Sequence, residues 1–566
     1  MQEIREPSET RPWTKHYDPQ VKERLEYRPG PVFEDLDRAA EKHPRRLAVV
    51  FQNWKITYKR LHALAETLAA NLRALGVRPG NKISIMLPNL PQTIIAYFAA
   101  LKCGATMVMT NPLYMEKELT HQLNDAGCET MIVLDLLWPK IEALRDKLPI
   151  QKYILTSIAD CLGFPLNRLY GFKMKRDKQL ANIPFDGENV LTLKPLLKGN
   201  ARLSVPPEKP DETALLQYTG GTTGISKGVV LTHANLKANV RQCQTLFHDV
   251  GEGRESFLCV LPFFHIYGLT VCLNLAVAVG GTMIPVPRYV PADLLKVIHD
   301  KKPSVFPGAP AIYASLLSQK NLAKHDLSSL RYCVSGSAPC PVEILTRFKE
   351  VTGADIIEGY GLTEASPVTH FNPLHGVKKV GSIGLPLPDT DCRIVDVELG
   401  TVSLPPGKEG ELVIKGPQVT SGYWNQPDET ANTLRNGWLY TGDVALMDEE
   451  GYFYIKDRKK DMILSAGFNV YPREIDEVLF EHPKVLEAVA VGVPHATRGE
   501  IIKAYVVPRP GEEPTKSEII GFCRQKLAVY KVPKEVEFRE ELPKTLVGKV
   551  LRRALRAEEE EKLKGE

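Results

Sequence analysis

Apolar residues recur along this chain in two alternating rhythms. Short β-branched runs at 46–51, 82–86 and 130–134 are each followed by a stretch with helical apolar spacing, at 58–75, 91–102 and 138–148. The first rhythm predicts strands and the second amphipathic helices. Their alternation predicts an α/β architecture with largely parallel sheets. The longest apolar stretch, roughly 269–286, is interrupted by Asn274 and by Gly280-Gly281. It predicts a buried helix plus a strand, not a membrane span. After Tyr454-Ile455-Lys456 comes a charged knot, Asp457-Arg458-Lys459-Lys460-Asp461, and then a smaller α+β pattern. A boundary is expected there, with domains at 1–456 and 462–566 and a connector at 457–461.

Composition narrows the class. A chain of 566 residues exceeds what one core sustains, so at least two domains are expected. A formal net charge of +4 is too small to imply nucleic-acid binding. Ten cysteines are scattered without a C-x-x-C pair, and no signal-peptide pattern opens the chain. Reduced, structural thiols in a cytoplasmic protein are expected.

The densest chemistry lies at Tyr218-Thr219-Gly220-Gly221-Thr222-Thr223-Gly224-Ile225-Ser226-Lys227-Gly228. Glycine lets successive backbone N–H groups converge on an anion. The hydroxyls of Thr219, Thr222, Thr223 and Ser226 add donors, and Lys227 supplies a mobile positive charge. A Walker A loop is excluded, because Lys227 follows Ser226 and precedes Gly228 where that pattern needs Gly-Lys-Ser/Thr. A phosphate-wrapping loop of another kind is expected; a glycine-rich surface turn is the bland alternative.

Four later segments accompany it in order: Tyr360-Gly361-Leu362-Thr363-Glu364, Tyr440-Thr441-Gly442-Asp443, Asp457-Arg458-Lys459-Lys460-Asp461, and Pro543-Lys544-Thr545-Leu546-Val547-Gly548-Lys549. Together the five resemble the adenylate-forming superfamily, which includes acyl-CoA synthetases, luciferases and peptide-synthetase adenylation domains. The likeness runs from about residue 30 to about 555, and the stretches Phe306-Pro307-Gly308-Ala309-Pro310, Val334-Ser335-Gly336-Ser337-Ala338-Pro339 and Gly467-Phe468-Asn469-Val470-Tyr471-Pro472-Arg473-Glu474 most resemble bacterial long-chain fatty acid–CoA ligases. It implies a large N-terminal α/β domain with stacked, mostly parallel sheets and a β-barrel-like subdomain. A small, mobile α+β C-terminal domain would follow, pivoting at Lys460. The implied reaction joins a carboxylic acid to the α-phosphate of ATP, expels pyrophosphate, and then lets the coenzyme A thiol displace AMP.

That chemistry explains the residue types. A carboxylate approaching a polyanion is repelled by roughly 4 kcal/mol per pair of unit charges at ~4 Å and an effective dielectric of 20, so cations must offset it. By resemblance, Glu364 would hold Mg²⁺, and Lys549 would bridge the substrate carboxylate and the α-phosphate, with Thr223 as a third catalytic group. The nucleotide would meet Thr219, Gly220, Gly221, Thr222, Thr223, Gly224 and Lys227, the loop Gly336, Ser337 and Ala338, and then Glu358, Gly359, Tyr360, Gly361 and Thr363. Asp443, Ile455 and Arg458 complete that set. Asp443 and Arg458 suit a ribose diol as acceptor and donor. Tyr360 offers a ring face for adenine, with Gly359 and Gly361 letting a flat ligand approach. The segment containing Ser465, Ala466, Gly467 and Phe468 resembles the hairpin that lines the pantetheine tunnel in the second half-reaction.

The segment Leu261-Pro262-Phe263-Phe264-His265-Ile266-Tyr267-Gly268 corresponds to the wall of the acyl pocket, with Gly308, Ala338, Gly361 and Leu362. It holds no aspartate to pair a substrate ammonium, so an α-amino acid is not expected. Gly361 stands where acetate-specific relatives carry tryptophan, and Gly308 and Ala309 are small, so a deep pocket for a fatty acid is expected. His265 would gate between the two sites. Medium-chain, aromatic and alicyclic acids remain alternatives, as does an acyl-AMP ligase loading a carrier protein. An insertion at about 157–187 places Phe164, Leu166, Leu169 and Phe172 ahead of Lys173, Lys175, Arg176 and Lys178. Residues 163–178 could touch a membrane surface, where apolar side chains enter the interface and basic ones meet anionic headgroups; a plain packed insertion or a subunit contact is the commoner alternative. A homodimer is also expected from the resemblance.

Overall fold

The computed structural model describes residues 11–565 except 178–180, 200, 202, 204–210, 220–225, 248–250, 466–467, 496–498 and 545–549. Two mostly parallel sheets carry its larger part. In the first, Leu47–Phe51, Thr282–Pro285, Ser256–Cys259, Val305–Gly308, Tyr332–Ser335 and Ile356–Gly361 run parallel side by side. Antiparallel strands finish its edges, Trp54–Thr57 on one side, Val368–Phe371 and Leu385–Pro386 on the other. In the second, Val190–Thr192, Lys152–Thr156, Cys128–Leu134, Lys82–Met86, Thr106–Met109 and Thr213–Thr219 run parallel, and Lys227–Thr232 returns antiparallel beside the last. One apolar core joins side chains of both sheets. The helix Pro91–Lys102 is buried at every position, as its apolar character on all sides requires. Even Lys102 is inside, paired with Asp37 at 2.5 Å.

Local chemistry sets the boundaries. The strand Lys82–Met86 and the helix Pro91–Lys102 match the expectation residue for residue. The helix expected at 138–148 stops at Ala143, and a tighter turn, Arg145–Lys147, follows. Leu148, the residue before Pro149, is extended, as that position favours. The apolar stretch 269–286 is resolved into a wide π-helical turn, Gly268–Asn274, a short helix, Leu275–Ala278, and the strand Thr282–Pro285.

A third sheet is antiparallel: Asp391–Val395, Gly410–Lys415, Leu434–Arg435, Trp438–Met447 and Phe453–Arg458. Its last strand runs through Asp457 and Arg458, so the first two residues of the charged knot belong to it. Beyond lies a separate sheet of Ile463–Ser465, Phe468–Val470, Val485–His495 and Gly499–Pro508, with Glu535–Phe538 parallel to Gly499–Pro508. The helices Pro472–Phe480 and Lys516–Lys526 bury Ile475, Leu479, Ile519 and Cys523 in one cluster with it. Leu555 of the helix Arg552–Gly565 packs into a second cluster, with Val489, Val491 and Tyr505. This part has its own core, the mark of a domain. All ten cysteines are free and buried.

Candidate active site

The expected site residues gather where the parallel strands of both sheets end. Gly308 pairs in register with Ser335, and Ser335 with Glu358, so three neighbouring strands present their carboxyl ends at one level. The loop carrying Gly336, Ser337 and Ala338, and the turn carrying Leu362, Thr363 and Glu364, leave from that level. Crevices at the carboxyl ends of parallel strands are where α/β sheets bind ligands. Ser337 holds a positive φ of 72°, a conformation costly for a non-glycine residue. The carboxyl of Glu358 accepts from the Cys340 N–H at 3.0 Å, and burial raises its pKa.

The phosphate loop is closed by a ladder: Thr219 pairs with Lys227 across the Thr213–Thr219 and Lys227–Thr232 strands. Both ends of the loop are thereby fixed, while Gly220, Gly221, Thr222, Thr223, Gly224 and Ile225 lie outside the described residues. Ser226 accepts at its carbonyl from His121 Nε2, 2.8 Å away. The Lys227 ammonium pairs with Glu429 and lies 5.7 Å from the Tyr423 ring centre.

Glu364 sits on the turn Thr363–Ala365. Its Oε1 accepts from the Tyr423 hydroxyl at 2.7 Å, and its carbonyl accepts from the Thr420 N–H at 2.8 Å. Burial, and then the Glu364 charge, raises the Tyr423 phenol, so it stays a donor. One carboxylate with an oxygen thus oriented fits Mg²⁺, which takes one or two protein oxygens beside nucleotide phosphates. A cage of three or more acidic, histidine or cysteine ligands is absent among the described residues.

The candidate ribose pair is assembled by the third sheet. Asp443 and Arg458 are cross-strand partners, and their side chains meet at 3.4 Å. The Tyr360 hydroxyl donates to Asp443 Oδ2 at 2.5 Å. Burial followed by the Asp443 charge raises the Tyr360 phenol. Behind Tyr360 lies His370, 5.8 Å between ring centres, and behind that Phe453. Ile455 gives its carbonyl to the Arg473 guanidinium of the C-terminal part, and Asp457 accepts from the Arg473 N–H at 2.7 Å.

The fold gives the glycines a steric reason of their own. A Cβ at Gly361 would lie 2.1 Å from the Pro367 carbonyl oxygen, and one at Gly359 would lie 2.8 Å from the Phe371 ring. The tight Ile356–Gly361 and Val368–Phe371 hairpin therefore requires both. At Gly308 a Cβ would stand 3.1 Å from the Tyr313 ring.

The acyl segment is held from the opposite sheet. Asn89 Nδ2 donates to the carbonyls of Cys259 and Leu261 at 2.9 and 2.7 Å, and Asn89 Oδ1 accepts from the Phe263 N–H at 2.7 Å. Gln217 donates to the Phe264 carbonyl at 2.9 Å. Ile266 and Phe263 are fully buried. His265 Nδ1 accepts from the Tyr267 N–H at 3.3 Å, so the ring is tied to its own turn. Ser465 pairs with Phe468 in the candidate pantetheine hairpin; Ala466, Gly467 and Lys549 lie outside the described residues. Sequence reasoning missed Asn89, Gln217, Tyr423, Glu429 and Arg473. Of these, only Tyr423 carries a local signal, the turn sequence Ser421-Gly422-Tyr423-Trp424-Asn425.

Comparison with known proteins places the chain in a family. Residues 36–424 match the family described as AMP-binding enzyme, and residues 474–549 match the AMP-binding enzyme C-terminal domain. A long-chain-fatty-acid–CoA ligase of Bacillus subtilis (strain 168) is 46% identical over 97% of this chain and 98% of its own. One from Escherichia coli O6:H1 is 40% identical over 92% and 93%. MatB from Rhodopseudomonas palustris, 29% identical, superposes with a TM-score of 0.82 in its ATP-bound crystal structure, covering 93% of this chain and 98% of MatB. Its apo structure gives 0.73, covering 94% and 99%. The chain belongs to the AMP-binding, adenylate-forming enzyme family.

Proposed function

We propose that the chain is an ATP-dependent long-chain fatty acid–CoA ligase that works in two half-reactions. The observation that carries this is the convergence of the Asp443–Arg458–Tyr360 cluster, the Tyr423-oriented Glu364 and the ladder-closed loop 219–227 at the carboxyl ends of the parallel strands. Similarity to ligases of that name over almost the whole chain supports the substrate class. In the first half-reaction a fatty carboxylate attacks the α-phosphorus of ATP and pyrophosphate leaves. Asp443 and Arg458 hold the ribose diol, Lys227 and the loop hydroxyls hold the phosphates, and Lys549 bridges carboxylate and α-phosphate. Mg²⁺, held by Glu364, would offset phosphate charge as the leaving group departs. In the second half-reaction the coenzyme A thiol attacks the acyl carbonyl carbon and AMP leaves with the bonding pair.

The larger overlap with ATP-bound than with apo MatB, at equal identity, supports a domain arrangement suited to nucleotide. The unit boundary at 457–461, dimerisation and a cytoplasmic location are part of this reading. So is contact of 163–178 with a membrane surface. No helix among the described residues is long and apolar enough to cross a membrane.

The test is coenzyme A-dependent AMP formation across straight-chain acids from acetate to oleate, with benzoate and cyclohexanecarboxylate included. Highest turnover with long chains is expected. A peak with cyclic or short acids would keep the chemistry and overturn the substrate class.

A further inference from the structure

Every hydrogen bond around Lys460 falls on one side of that residue or crosses it. On the N-terminal side, the Lys459 N–H donates to the Gly442 carbonyl at 2.8 Å, and Lys459 Nζ meets Glu411 at 3.1 Å. Residue 459 is therefore fastened to the third sheet. On the C-terminal side, Arg556 spans two successive peptide groups. Its Nη1 donates to the Lys460 carbonyl and its Nη2 to the Asp461 carbonyl, each at 3.3 Å. Arg556 is itself anchored to the C-terminal body. Its helix buries Leu555, binds Asp476 and the Ala490 carbonyl through Arg552, and pairs Glu559 with Lys503 at 2.9 Å.

The direction of these bonds matters. A carbonyl moves with the chain that follows it when its own residue's φ or ψ turns. The bonds from Arg556 to the carbonyls of Lys460 and Asp461 therefore survive rotation at Lys460, but they resist rotation at Asp461. What must break at Lys460 is a different set. The N–H groups of Asp461 and Met462 donate back to the Arg458 carbonyl at 3.0 and 3.2 Å, and Arg473 bridges to Ile455 and Asp457.

Resting on the two-half-reaction reading above, we infer that Arg556 is a positioning residue that confines domain rotation to the two torsions of Lys460, by welding the peptide groups after it to the C-terminal body. Lys460 is the pivot because both of its neighbours are tied down. A planar guanidinium can span two carbonyls in this way, whereas an ammonium is a single point of charge. Without the fork, rotation spreads into Asp461 and Met462, and Lys549 and the 463–470 hairpin arrive less accurately.

A double-substitution cycle tests this on the full-length enzyme. Three reactions are followed: acid-dependent ATP–pyrophosphate exchange, conversion of preformed acyl-adenylate to thioester, and the overall reaction. Lys460→Pro, which fixes φ at the pivot, is expected to keep one half-reaction and to lower the overall rate at least tenfold. Adding Arg556→Ala frees the next torsions and is expected to restore the overall rate by about fivefold, a sign of coupling that independent losses cannot give. Arg556→Lys in place of Ala should rescue less. Additive loss in the double variant, with the melting temperature of Arg556→Ala unchanged, would overturn the proposal. So would a full overall rate in Lys460→Pro, which would move the pivot elsewhere. If Arg556→Ala fails to fold, the Arg556→Lys pair decides by the same sign. Wild-type enzyme without acid-dependent exchange would instead defeat the ligase reading itself.

Discussion

His370 shows how one side chain can tie the nucleotide site to stability. Its ring is fully buried between Tyr360 and Phe453, and its Nδ1 lies 2.9 Å from the Thr369 hydroxyl. Burial lowers its pKa from 6.5 to about 3. The unfolded chain therefore takes up a proton below pH 6.5 that the folded chain refuses until about pH 3. The stabilisation from this group is complete above pH 6.5 and is lost as pH falls toward 3, at about 1.4 kcal/mol per pH unit. Urea unfolding between pH 7 and 4.5 should show a shallower acid decline in His370→Phe than in wild type. Equal slopes would mean that the ring is charged in the folded protein. Little of this was legible beforehand. Tyr360, Asp443 and Arg458 could be named because each lies in a recognisable motif, whereas Asn89 and Tyr423 act across separations of 172 and 59 residues. A side chain that works at such range is placed by topology, and even the local turn around Tyr423 does not announce its partner. Gly361 is the reverse case, since the motif names it and the fold adds a steric reason the motif does not show, the Pro367 carbonyl.

Among the elements, the helix Leu166–Arg176 stands out for what it leaves uncovered. At about 100° per residue, Leu169, Phe172 and Arg176 share one outward line, with Leu166 and Lys173 on one flank and Arg168 and Lys175 on the other. Met174 alone is buried on the inner face. Phe164, Leu169 and Phe172 are 75%, 58% and 72% exposed. Each apolar side chain fully transferred to a lipid interface contributes roughly 1.5–3 kcal/mol, and flanking cations can reach outward to headgroups. Flotation with anionic vesicles should recover the wild-type protein and lose Phe164→Ser/Leu169→Ser/Phe172→Ser at unchanged activity toward soluble acids. Unchanged flotation would leave the stripe to another protein surface. The sequence showed the apolar-then-basic order of this segment, but not that the helix faces outward. Elements such as Lys82–Met86 and Pro91–Lys102 were legible to the residue because their apolar periods end at turn-forming Leu87-Pro88-Asn89 and at Gly104.

At the scale of the whole molecule, the described ties of the C-terminal part to the third sheet include polar contacts through Arg473, while its apolar core is separate from the large one. Such interfaces permit relative motion by default. The alternation reading assigns Lys549 to the first half-reaction and the hairpin around Gly467 to the second. Lys549→Ala should lose adenylation yet convert preformed acyl-adenylate to thioester, and Gly467→Leu should do the reverse. Separate assays of the two steps check this, and equal loss of both steps in both variants would refute two arrangements. The charged knot suggested a boundary at 457–461, and the strand Phe453–Arg458 runs two residues into that knot to pair Arg458 with Asp443.

The lysine of the phosphate loop does not stand bare. Glu429, in the first turn of the short helix Pro427–Thr433, holds it beside the Tyr423 ring. If Lys227 takes the phosphates as proposed above, an arriving polyphosphate trades one counter-ion for another, and the displaced carboxylate remains at a helix N-terminus, where negative charge is tolerated. The electrostatic gain on binding is the difference between two ion pairs and not the worth of one. The same exchange runs backward after chemistry, when Glu429 can reclaim the lysine as pyrophosphate departs. A resident competitor of this kind trades some grip for turnover, a fitting compromise in a site that must empty itself of charged products every cycle.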